Sequence, residues 1–143
     1  MNIRQINDSV YAAPQITAAD VAEAKAMGVS LIVNNRPDEE EHGQPRGADI
    51  AAAAKAAGMH YIAIPVTHAG FSAPQIDAMR AALDENEDGK TLAFCRTGTR
   101  STLLWALAEA KDGQDPDAIE EAAAAAGYDV APVRMLLDAF SSR

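Results

Sequence analysis

Apolar and polar positions alternate along the chain in two rhythms. Short, nearly continuous apolar runs occur at 9–13 (Ser-Val-Tyr-Ala-Ala), 29–34 (Val-Ser-Leu-Ile-Val-Asn), 59–66 and 90–94 (Lys-Thr-Leu-Ala-Phe). Runs of this length, bounded by Gly, Pro and Asn, predict buried strands. Between them lie longer stretches with helical spacing. Thr17, with an acidic residue at Asp20, predicts a helix start and a helix to Met27 closed by Gly28. Residues 48–57 are alanine-rich and end at Gly58. Ser72 and Gln75 open a further helix that ends near Glu87-Asp88-Gly89. Leu103, Leu104, Trp105 and Leu107 mark the apolar side of a helix over 101–110. Asp115-Pro116 starts another, closed by Gly127, and Pro132 to Phe140 forms the last. Residues 35–47 read as a polar loop.

Strands alternating with helices predict an α/β fold, with a mainly parallel central sheet flanked by helices. No repeat or long linker interrupts the pattern, and the 143 residues suit one domain over 1–143. In such folds ligands bind beyond the carboxyl ends of the strands.

The formal charge of −9 disfavours nucleic acid as a partner, because no basic stripe exists to neutralise phosphates. No apolar run approaches the ~20 residues that span a bilayer, so no membrane partner is expected. The first residues carry no apolar signal-like segment, and with one cysteine no internal disulfide is available; both predict a cytoplasmic protein. The run Glu39-Glu40-Glu41-His42 is consecutive and does not converge as metal ligands do, and no cofactor is called for.

Against this acidic background, two arginines crowd the single cysteine. The segment Cys95-Arg96-Thr97-Gly98-Thr99-Arg100-Ser101 follows a predicted strand and opens a predicted helix. A strand end meeting a helix start leaves main-chain N–H groups unpaired, and the helix dipole adds positive potential. Gly98 permits a backbone angle that other residues resist. Arg100 presents a planar fork of donors to an oxyanion. Arg96, Thr97, Gly98 and Thr99 complete the cradle, and Ser101 is placed to bond the sulfur or cap the helix. A buried structural cysteine is the ordinary alternative, but six polar or glycine residues after it do not build a core. Arg36, after the second strand, is placed to complete the anion site or to pair with Asp38 or Glu39. His60, alternating with apolar residues, reads as structural, and Trp105 as core.

The cysteine loop resembles the active loop of cysteine-dependent phosphatases and rhodanese-type sulfurtransferases. The whole chain resembles the phosphatase-like domain of bacterial beta-lactamase-hydrolase-like proteins, a domain also found fused to sulfide-oxidising enzymes. Further stretches carry that resemblance: Gln15-Ile16-Thr17, Val33 to Asp38, Tyr61 to Val66 and Ala126-Gly127-Tyr128. It implies a dual-specificity-phosphatase-like fold, Cys95 as nucleophile, Arg100 as anion binder and Ser101 as helper.

The loop does not match protein tyrosine phosphatases throughout. Only four residues separate Cys95 from Arg100, where those phosphatases carry five, and Phe94 stands in place of their usual histidine. The stretch 65–72, where such phosphatases keep an acidic residue, holds His68 and no carboxylate. A short loop suits one extra sulfur, and sulfite leaves without a proton donor. The expectation is therefore a rhodanese-like sulfurtransferase. It moves sulfur from thiosulfate or a persulfide through a Cys95 persulfide to a small thiol acceptor or cyanide, with a link to sulfide oxidation. The alternative is a phosphatase acting on a phosphate ester through Cys95, with His68 or Glu41 as acid. A non-catalytic anion-binding domain is the third reading.

Overall fold

The computed structural model describes residues 2–142. A five-stranded sheet runs in the order β1 (Arg4–Gln5), β2 (Val10–Ala13), β5 (Lys90–Phe94), β3 (Val29–Asn34), β4 (His60–Ala63). β1 pairs antiparallel with β2, and every other pairing is parallel. The expected mainly parallel sheet is present. β1, two residues long with exposed side chains, carries no apolar signal and is an addition to the sequence reading.

The helices between strands start where polar side chains satisfy the first N–H groups. Thr17 and Ser72 each form a capping box, with Asp20 and Gln75, at the starts of α1 (Ala18–Ala26) and α3 (Ala73–Glu85). Asp115 caps α5 (Pro116–Ala125), and α2 covers Gly47–Ala56. The last helix differs from expectation. Ala131–Val133 forms a 3-10 turn, and α6 is Arg134–Ser141.

Alternation along β5 divides the core. Leu92 and Phe94 face α1 and α2 together with Ile32 and Ile50. Ala93 faces α3 to α6 together with Val33 and Met79. α4 (Thr99–Lys111) begins two residues earlier than its apolar spacing suggests. It is buried all round from Ser101 to Ala108, so it is a central helix and not an amphipathic one. Trp105 is core, as expected. His60, read as structural, is exposed on the edge strand β4.

Register fixes the site. Phe94 pairs with Ala13 on one side and Asn34 on the other. The residues that follow these strands, Gln15, Asn35, Arg36 and Cys95, therefore emerge at one edge of the sheet.

Candidate active site

Cys95 leaves β5 and is fully buried. Its Sγ accepts from the Gly98 N–H at 3.1 Å. Gly98 is the N-cap of α4 with φ +92°, a left-handed conformation that turns the chain back over the sulfur. Thr102 Oγ1 donates to the Gly98 carbonyl at 2.9 Å and tightens the same turn. Thr97 and Thr99 hydroxyls bond each other at 3.0 Å. The helix thus starts inside the predicted loop, and its dipole points at the thiol.

Ser101 does not do what the sequence suggested. It lies in the first turn of α4, neither capping it nor bonded to Cys95, and its hydroxyl donates to Asn35 Oδ1 at 2.8 Å. Asn35 is the hub. Its Nδ2 donates to the Ile64 carbonyl, its N–H to the Phe94 carbonyl, and its own carbonyl accepts from Val66 N–H. A buried amide with these groups satisfied ties β3, β5, the segment after β4 and α4 together beneath Cys95.

Arg100 points from the first turn of α4 to the opposite loop. Nη1 donates to Glu40 Oε2 and to the Val66 carbonyl, both at 2.6 Å, and Nη2 donates to Glu40 Oε1 at 2.8 Å. A guanidinium has five N–H groups. Glu40 takes the end edge and Val66 the remaining Nη1 hydrogen. The Nε–H and the second Nη2–H lie on the edge that neither Glu40 nor Val66 takes, and Arg100 also interacts with the Cys95 sulfur, so that edge can offer a fork to an oxyanion held on the thiol. Glu40 chiefly, with the charge on Cys95 also contributing, holds Arg100 above its ordinary value against the effect of burial.

Arg36 is buried beside Arg100. Nε donates to Glu40 Oε1 at 2.9 Å and Nη1 to Gln15 Oε1 at 3.1 Å, while Nη2 has no hydrogen-bond partner. The sequence offered Asp38 or Glu39 as its partners; the structure supplies Glu40 and, at 3.9 Å, Glu41. Glu39 adopts a left-handed φ of +63°, and the residue after it is the one that meets Arg36. Hydrogen bonds from Arg100 first, opposed by burial, then from Arg36, pull the Glu40 carboxyl down to about 2. Glu41, the carboxylate the sequence put forward, lies outside on Arg96 at 3.3 Å. His68 is exposed, two residues beyond the Val66 carbonyl that meets Arg100.

The structure thus gathers Cys95, Thr97, Gly98, Thr99, Arg100 and Arg36, with Arg96 at the rim. Ser101 supports from below. Glu40, Asn35 and Gln15 were not singled out for roles. Gln15 and Asn35 lie in stretches that carried the family resemblance, and Glu40 in the polar loop after β3.

Residues 2–112 match the sequence profile of the family described as beta-lactamase hydrolase-like protein, phosphatase-like domain. The chain belongs to that family. A beta-lactamase hydrolase-like protein of Agrobacterium fabrum is 40% identical over 114 residues, covering 80% of this chain and 26% of the relative. One from Xylella fastidiosa is 34% identical over 131 residues, covering 91% and 30%. The chain spans between a quarter and a third of the length of these curated relatives.

Among solved structures, a candidate phosphatase from Neisseria meningitidis superposes with a TM-score of 0.81 at 34% identity, covering 98% of this chain and 99% of its own. TpbA of P. aeruginosa, solved in complex with pTyr, shares the fold with a TM-score of 0.62 at 18% identity, covering 96% and 90%. This member of the beta-lactamase hydrolase-like family is a cysteine-phosphatase-like domain. The preference for sulfur transfer, drawn from loop length and from the stretch 65–72 without a carboxylate, is not carried by these relatives, and the phosphatase alternative fits them better. No helix among the described residues is long and apolar enough to cross a membrane.

Proposed function

We propose that the chain hydrolyses phosphate monoesters through a phosphocysteine at Cys95. One observation carries this reading: a buried thiol at a helix start interacts with Arg100, whose end edge is tied to Glu40. The Neisseria relative, named as a candidate phosphatase and similar over its whole length, supports it, and so does the fold neighbour bound to phosphotyrosine.

In this mechanism the Cys95 thiolate attacks phosphorus, an S–P bond forms and the ester O–P bond breaks. Arg100 and the main-chain N–H groups of the loop carry the charge on the equatorial oxygens. The leaving oxygen takes a proton from His68. Glu40 is unsuited to that step, because a carboxyl held at about 2 has no proton to give at neutral pH. Glu41 is engaged with Arg96. Water then attacks phosphorus, its proton returns to His68, the S–P bond breaks, and phosphate and thiolate are released. Arg36 keeps Glu40 in place and adds positive potential, and Arg96 meets the substrate at the rim.

A sulfurtransferase reading stays as the second choice on one observation, the four-residue spacing between Cys95 and Arg100. There Cys95 would take the outer sulfur of thiosulfate, release sulfite and pass the sulfur to a thiol. Both readings are tested by giving the protein para-nitrophenyl phosphate, or thiosulfate with cyanide, at matched concentrations. Nitrophenol release that disappears in Cys95→Ser is expected. Thiocyanate formation without nitrophenol would reverse the order.

His68 is tested by leaving group. His68→Asn should slow an alkyl phosphate by about 10²-fold and an aryl phosphate much less, because phenoxide needs less proton assistance. Equal slowing of both would remove His68 from the acid role.

A further inference from the structure

Tyr128 lies beyond the stretch that matches the family profile, yet it reaches the nucleophile loop. A Cβ added at Gly98 would stand 2.2 Å from the Tyr128 hydroxyl and 2.9 Å from its ring Cζ. The hydroxyl donates to the Thr97 carbonyl at 3.5 Å, a long hydrogen bond. That carbonyl and the Gly98 N–H belong to the same peptide unit. The N–H in turn donates to Cys95 Sγ at 3.1 Å. Two hydrogen bonds therefore run from the phenol through one peptide plane to the sulfur.

This peptide has two possible orientations. With N–H inward it stabilises an anionic sulfur and a bound oxyanion. Rotated about its plane it would turn the carbonyl dipole on both. Gly98, at φ +92°, does not choose between them, since glycine tolerates either side. A donor on the outer face does choose, because it engages the carbonyl only when the N–H points in. It also polarises the peptide in the useful sense.

Tyr128 is itself held. Its N–H donates to the Ala123 carbonyl at 2.9 Å at the end of α5. Arg4 Nη1, from β1, donates to the Ala126 carbonyl at 3.2 Å and stands 2.8 Å from where a Gly127 Cβ would lie. Burial raises the phenol above its ordinary value, Arg4 opposing and the Cys95 charge adding, so it stays a neutral donor.

We infer that Tyr128 is a positioning residue of the nucleophile loop, locking the 97–98 peptide with its N–H on Cys95. The inference rests on Cys95 being the reactive group, not on which group it carries. The test is Tyr128→Phe in the full chain, with the rate of iodoacetamide labelling of Cys95, the single cysteine, followed across pH. The other charged groups around the sulfur, Arg100 with Glu40, Arg36, Arg96 with Glu41, and Arg4, are unchanged in this variant.

Labelling near neutral pH should fall about three- to tenfold, the effect of one neutral hydrogen bond, and the difference should close at alkaline pH. Orthovanadate affinity should fall by a similar factor with Tm unchanged. Gly98→Ala, which displaces the phenol without removing it, should change labelling in the same direction. Wild-type profiles in both variants, or a drop of equal size at every pH, would overturn the proposal. Labelling needs no turnover, so a wild-type protein inactive on aryl phosphate would sink the phosphatase reading and leave this test intact.

Discussion

Glu40 and Glu41 adjoin in sequence yet end on different arginines with very different exposure. The Glu40 side chain is 17% exposed between Arg36 and Arg100, and that of Glu41 is 55% exposed on Arg96. Glu40→Gln should therefore lower kcat/KM on an aryl phosphate by about tenfold or more, because a neutral amide leaves two close guanidinium charges uncompensated and loosens Arg100. Glu41→Gln should change it by about twofold at most, as for other solvent-screened pairs. Steady-state kinetics of the two variants decide the matter, and a larger effect at Glu41 would reverse the assignment. Arg100→Lys should be nearly as damaging as Arg100→Ala, because lysine keeps the charge and loses the open fork. The nucleophile loop was legible in the sequence because its parts are contiguous from Cys95 to Arg100. Which of three consecutive glutamates would turn inward was not, because that depends on the left-handed backbone at Glu39. Tyr128 was part of the family resemblance, but its contact with the loop was equally hidden, because it lies 31 residues from Thr97 in sequence.

Elements were legible where local chemistry decides them. Thr17, Ser72 and Asp115 cap the helices that their spacing announced. β1 was missed because two exposed polar residues carry no period, and it exists only through pairing with β2. α4 was read as amphipathic from four large residues, but its alanines, Ser101 and Thr102 are buried as well. The strand after Gly58 was expected to reach Val66. The regular ladder stops at Ala63, and Ile64 and Val66 follow the end of β3, donating to the carbonyls of Asn34 and Asn35. Asn35, a polar side chain fully buried at the junction of four segments, also bonds the Ile64 carbonyl and the Ser101 hydroxyl. Asn35→Ala would leave the Ser101 hydroxyl and the Ile64 carbonyl without this partner in a buried setting. A loss of about 2–4 kcal/mol of stability is expected, seen as a lower urea midpoint at unchanged m, together with loss of turnover. A midpoint within experimental scatter of wild type would show that the junction holds without it.

At the scale of the molecule, an acidic chain keeps several of its arginines on carboxylates. Arg36, Arg80, Arg100 and Arg134 all carry ion pairs, within a net charge of −9. Such a protein is held together near neutrality partly by its carboxylates, and acid removes them one at a time. Glu40 is the one whose behaviour can be placed on the pH scale. Its carboxyl lies at about 2 in the folded chain, against an ordinary 4.5. A depressed carboxyl contributes stability that is complete above the unfolded value and is lost as pH falls through the folded one. The contribution should therefore be whole above about 4.5 and gone near 2. After allowance for solvent screening at the rim of the site, its size is on the order of 1–2 kcal/mol. Glu40→Gln has no proton to take up at this position. Wild type should be the more stable protein near neutral pH, and its advantage should shrink between about 4.5 and 2 until the two urea midpoints meet. Midpoints that stayed a constant distance apart across that window would mean that Glu40 stabilises through packing and not through its charge on Arg100 and Arg36.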